Sequence, residues 1–163
     1  MLKKRLPPAA KTGGQHMKTA DDAMKLHAQG FNCAQSVVAN YAEELGLEPM
    51  QATRISECFG GGICGNERLC GAVSGALMCA GLQFGRTVGD DTASRQKARD
   101  VGNEILQAFL QKHGTCECHV MLDREAGTRL GPDPTRSHAP FAAHCEGVIR
   151  DACALVEKLV LAR

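Results

Sequence analysis

Nine cysteines occur in 163 residues, and four of them, Cys33, Cys70, Cys118 and Cys145, each fall in an early turn of a different predicted helix. A thiol there meets unpaired backbone N–H groups and the positive end of the helix dipole. Both favour the thiolate, the form that binds metals and attacks disulfides. The densest stretch, from Cys58 to Gly75, sets three thiols among six glycines. Glycine lets backbone N–H groups come close to a bulky or charged group such as a thiolate or a cluster sulfide. The plainer reading is a glycine loop followed by tight helix packing. Gly71 and Gly75 lie four apart on one helix face, so a neighbouring helix can pack closely beside Cys70.

Motif spacing excludes several familiar chemistries. No C-x-x-C pair occurs, which argues against a zinc ribbon and a thioredoxin-type dithiol. Cys116-Glu117-Cys118-His119 is one residue short of a covalent haem motif. Gly60-x-Gly62-x-x-Gly65 matches the dinucleotide fingerprint, but no strand precedes it. Ser74 sits in Gly-Ala-Val-Ser-Gly, which is not a nucleophile elbow. What remains is a site assembled from distant cysteines by the fold. Any one cysteine can equally be a small buried apolar residue, and Cys79 and Cys153 fit that description. His119 and His144 adjoin Cys118 and Cys145 but point about 100° away on a helix, which suits a surface or rim position. Glu43-Glu44 and Asp90-Asp91 read as solvated or capping charges. No substrate pocket is visible in the sequence, so no enzyme activity is assigned.

The elements that must position these thiols are helical. Residues 1–16, with two prolines and a basic cluster, read as a disordered tail, and residues 17–163 as a single helical, cysteine-rich domain. Helices are expected from Met17 to Gln29, from an Asn32 cap to Leu45, and from Pro49 to about Cys58. After the Gly60-Gly61-Gly62 break, others run from about Glu67 to Leu82 and from Thr92 to His113. A short helix capped by Thr115 carries Cys118, and Asp123 to Pro140 reads as a long loop or partial lid. The last helix is the clearest: Cys145, Val148, Ile149, Ala152, Val156, Leu159 and Val160 follow the spacing of one apolar face. No run alternates with period two. The expected fold is all-α, a single compact bundle of about six to seven helices with a Gly-rich loop and a long loop before the last helix.

Composition narrows the function classes. A formal net charge of +1 and scattered Lys and Arg provide no field for nucleic acid or an anionic membrane, and 4% aromatic residues leave few platforms for stacked bases. No apolar run approaches the roughly 18 residues of a spanning helix. The chain therefore reads as cytoplasmic, a compartment where a cysteine-rich protein is metal-binding or redox-active rather than stapled by disulfides.

Asn32-Cys33-Ala34-Gln35, Phe59-Gly60-Gly61-Gly62-Ile63, Cys70-Gly71-Ala72-Val73-Ser74-Gly75-Ala76-Leu77, Gly114-Thr115 leading to Cys118, and Cys145 before Val148 occur in order. Together they resemble the C-GCAxxG-C-C family of redox-active proteins, over nearly the whole ordered chain. The resemblance implies four characteristic cysteines, which here are Cys33, Cys70, Cys118 and Cys145, and a bound iron–sulfur or similar redox group. Members are often encoded near transporter or oxidoreductase genes. A similar module in split-Soret cytochromes accompanies an iron–sulfur site, although their haem motifs are absent here. Cys58, Cys64, Cys79, Cys116 and Cys153 are additional, and Cys116 or Cys64 could take the place of one of the four. The leading expectation is electron transfer, or service as an accessory to an oxidoreductase or transporter, with an iron–sulfur cluster on four thiolates. A redox partner protein is implied, and a homodimer is compatible with the sequence. The alternatives are a metal-free thiol–disulfide couple and a structural zinc site with four cysteine ligands.

Overall fold

The computed structural model describes residues 17–122 and 142–162. The expected tail over residues 1–16 and the whole stretch from Asp123 to Pro140 lie outside them.

Seven α-helices account for most of the described chain, as the all-α reading expects. Helix α1 (Ala20–Ala28) begins three residues later than expected, because the Asp22 carboxylate accepts the Thr19 N–H at 3.1 Å and sets the first turn there. Helix α2 (Cys33–Asn40) is opened by a reciprocal cap. Asn32 Oδ1 accepts the Gln35 N–H, and Gln35 Oε1 accepts the Asn32 N–H, each at 3.0 Å. It stops at Asn40 rather than Leu45, since residues 41–46 form tighter turns in which Leu45 N–H is shared by the Tyr41 and Ala42 carbonyls. Helix α3 (Pro49–Ser56) has Pro at its first position and the Glu48 carboxylate as cap, and runs into a 3-10 turn, Glu57–Phe59.

Helix α4 (Gly71–Phe84) is the central element and packs on α2, α5 and α7. Gly71 and Gly75 permit the approach of α2. A β-carbon on Gly75 would lie 2.9 Å from that of Val37, and one on Gly71 3.2 Å from that of Cys33. Helix α5 (Thr92–His113) is capped by Asp91 and ended by Gly114, and turns only Val101, Ile105 and Phe109 fully inward. After the short α6 (Cys118–Met121), α7 (Ala142–Leu155) continues as a π-helical turn, Val156–Leu161. The core joins Val37, Tyr41, Val73, Ala76, Ile149 and Val156 to the inward face of α5. Tyr41 Oη donates to Glu157 at 2.7 Å. Cys79 and Cys153 are fully buried in this core, as their plain reading expects.

Helix α4 starts at Gly71, not near Glu67 as the sequence suggests, because Glu67 has a positive φ and residues 67–70 hydrogen-bond to residues 116–119 instead of to one another. Cys70 N–H donates to Cys116 O at 2.8 Å, Cys118 N–H to Arg68 O at 2.7 Å, and His119 N–H to Glu67 O at 2.9 Å. Glu117 rather than Thr115 then becomes the residue before α6. This short antiparallel contact ties the starts of α4 and α6 together.

Candidate functional site

Helix starts converge at one end of the bundle. Cys33 is the first residue of α2, Cys70 the cap of α4, Cys118 the first residue of α6, and Cys145 lies in the first turn of α7. All four line a single cavity of about 340 Å³. Cys70 and Cys118 are buried, and Cys33 and Cys145 half-buried. The close approach of α4 to α2 brings Cys33 beside Cys70, the paired segments bring Cys118 to Cys70, and Val148 of α7 joins the lining next to Cys145.

The remaining wall is the glycine loop. Gly61, Gly62, Ile63, Cys64 and Gly65 all have positive φ, which makes a turn of left-handed helix. Ile63, at φ 64°, is a β-branched residue in a region that costs about 1–2 kcal/mol for a residue with a side chain. The loop holds itself in this shape. Cys64 N–H donates to Cys58 O, Gly65 N–H to Gly60 O, Glu67 N–H to Gly61 O and Arg68 N–H to Gly62 O. Gly61 and Gly62 face the cavity.

The thiols do not behave as helix starts alone would dictate. Burial holds the Cys70 thiol above its ordinary range and outweighs the nearby Val73 and Ala72 amides, which act to lower its pKa. Cys33 is pushed well up, first by a hydrogen bond with Cys145, then by burial and by the charges that Cys145, Cys70 and Cys118 would carry. Cys33 and Cys70, expected as thiolates, are therefore neutral thiols in the metal-free chain. Four negative charges gathered in one partly buried cavity repel one another, and a cation is needed to hold them ionised. Among the described residues, no three His, Cys, Asp or Glu side chains converge as the ligands of a single metal ion do. The thiols surround a space instead.

The other sequence candidates separate cleanly. Cys116 Sγ is directed at Leu106 O, 3.9 Å away, and is not part of the cavity lining, although it lies only two residues from Cys118. Cys64 and Cys58 are exposed on the outer side of the loop, and Cys64 does not reach the cavity. His144 is exposed at the rim, as expected. His119 turns its Nδ1 toward Glu67 O at 2.9 Å and bolts α6 to the loop. Sequence reasoning missed His27, which also lines the cavity and donates Nδ1–H to Phe31 O at 2.9 Å. The available signal was its place just before Gly30, where the chain doubles back into α2.

A family model described as "Putative redox-active protein (C_GCAxxG_C_C)" matches residues 31–159. The chain belongs to this family. The C_GCAxxG_C_C match begins two residues before Cys33 and runs past Cys145, so it takes in every cysteine of the cavity. Comparisons with curated proteins and with solved structures gave no match.

Proposed function

We propose that this redox-active protein of the C_GCAxxG_C_C family holds an iron–sulfur cluster on Cys33, Cys70, Cys118 and Cys145 and passes electrons to a partner protein in the cytoplasm. The observation that carries this reading is that four thiols from four helices line one cavity at the end of the bundle. An all-thiol donor set suits iron–sulfur ligation, and such a cluster, when bound, supplies reversible electron storage. The chain's part is to hold and tune it. Helices α2 and α4, locked at Gly71 and Gly75, set the spacing of Cys33 and Cys70. The Ala72 and Val73 amides stabilise charge on the Cys70 sulfur. Gly61 and Gly62 let backbone close the remaining wall.

Thiol–disulfide chemistry has one observation in its favour, the hydrogen bond between the Cys33 and Cys145 thiols. Anaerobically purified protein is expected to contain iron and sulfide in stoichiometric amounts with visible absorbance, and Cys70→Ser to lose both. Colourless, iron-free protein from such a preparation overturns the cluster. A Cys33–Cys145 disulfide found in that same preparation would favour the second reading.

A further inference from the structure

Cys58 and Cys64 are the two exposed cysteines; Cys58 lies in the 3-10 turn just before the left-handed glycine loop and Cys64 within the loop. Their backbones are already joined, since Cys64 N–H donates to Cys58 O at 2.7 Å. With standard covalent dimensions on either side of that hydrogen bond, the two α-carbons can be no more than about 6.6 Å apart. This lies inside the range of about 4.4–6.8 Å over which disulfides are built. The Cys58 thiol is also near enough to act on the Cys64 charge.

We propose that Cys58 and Cys64 form a second redox site, a surface dithiol that closes reversibly into a disulfide by exchange with small-molecule disulfides such as oxidised glutathione. The site is independent of whatever the four-thiol cavity holds. In the first step the Cys58 thiolate attacks one sulfur of the disulfide RS–SR. That S–S bond breaks, a mixed disulfide forms on Cys58, and one RS⁻ leaves and takes up a proton. In the second, Cys64 loses its proton and attacks the Cys58 sulfur, expelling the second RS⁻. The two protein thiols are oxidised by two electrons, and one RS–SR is reduced to two RSH. Cys64 is assigned the second, resolving role, since its thiol is held above the ordinary range, first by desolvation and then by the neighbouring Cys58. Gly61 and Gly62 lie between the two cysteines and line the cavity, so oxidation clamps a wall of the main site.

Peptide mapping tests this directly. Trypsin releases Ile55 to Arg68, which carries Cys58 and Cys64 and no other cysteine. The full-length protein is equilibrated in glutathione buffers of rising oxidation, quenched with an alkylating agent and digested. The peptide is expected to pass from doubly alkylated to a species ~2 Da lighter than the free dithiol, before peptides bearing Cys33, Cys70, Cys118 or Cys145 change. In Cys64→Ser, glutathione should accumulate on Cys58 at least about 10-fold above wild type, because nothing resolves the mixed disulfide. Unchanged far-ultraviolet circular dichroism establishes that the variant is folded. A peptide that stays doubly alkylated until the cavity cysteines oxidise, or that carries glutathione on both cysteines, overturns the proposal. So does a folded Cys64→Ser protein with no more glutathione than wild type.

Discussion

A β-carbon at position 62 would stand 2.7 Å from that of Cys118 and 2.6 Å from the Arg68 amide, at a φ of +68°. Gly62→Ala is therefore expected to destabilise the protein by about 1–3 kcal/mol in urea unfolding, by overpacking and by left-handed strain. It should also reduce bound iron, since Cys118 must move. Cys116→Ser should leave both iron content and the visible spectrum unchanged, because that thiol faces Leu106 O on α5. Iron lost in Cys116→Ser but kept in Cys118→Ser would reverse the assignment of the fourth ligand. Motif order was enough to single out four cysteines, but it could not separate Cys116 from Cys118. Which of the two lines the cavity is decided by the pairing of residues 67–70 with residues 116–119, a contact between segments nearly fifty residues apart.

Within α4 the same substitution has opposite effects at two glycines. Gly75→Ala would push a methyl group to 2.9 Å from Val37 Cβ and 3.1 Å from Ala34 O, so a loss of about 1–3 kcal/mol is expected. Gly81 is exposed, with nothing within 4 Å of its would-be β-carbon, and Gly81→Ala should gain about 0.5–1 kcal/mol from helix propensity. Urea midpoints for the two variants check both signs. At the start of α2, Asn32→Ala removes a reciprocal cap and should cost about 1 kcal/mol. Helices marked by caps and glycines were legible in the sequence, notably α5 from Thr92 to His113 and the cap on α2. The start of α4 was not, because helix propensity in residues 67–70 is overridden by backbone hydrogen bonds to a distant segment.

Across the whole molecule, burial of ionisable groups links the core to pH. Cys79 and Cys153 are buried thiols held neutral, with Cys153 pushed up to about 12, and Tyr41 is raised in the same direction by burial. An exposed thiol in the unfolded chain ionises from about pH 8.5, whereas the native thiol does not, so stability is full below that pH. It then falls as pH rises toward the native value. Urea midpoints of the metal-free protein should decline between about pH 9 and 12, and Cys79→Ala with Cys153→Ala should flatten that decline while lowering stability at pH 7. An equal slope in the double variant would show that other groups carry the effect. No helix among the described residues is long and apolar enough to cross a membrane. The sequence by itself determined an all-α chain, because caps, glycine stops and apolar spacing are local properties. It also determined the family, whose motifs survive in order along the chain. Only the tertiary structure decided that Cys33, Cys70, Cys118 and Cys145 line one cavity, that His27 joins them, and that Cys58 faces Cys64 across a left-handed turn. Those juxtapositions depend on interhelix distances set by Gly71 and Gly75 and on long-range backbone pairing. The glycine pair shows in the sequence as an i, i+4 spacing, but which helix it receives and which distant segments pair leave no local trace in a single chain of residues.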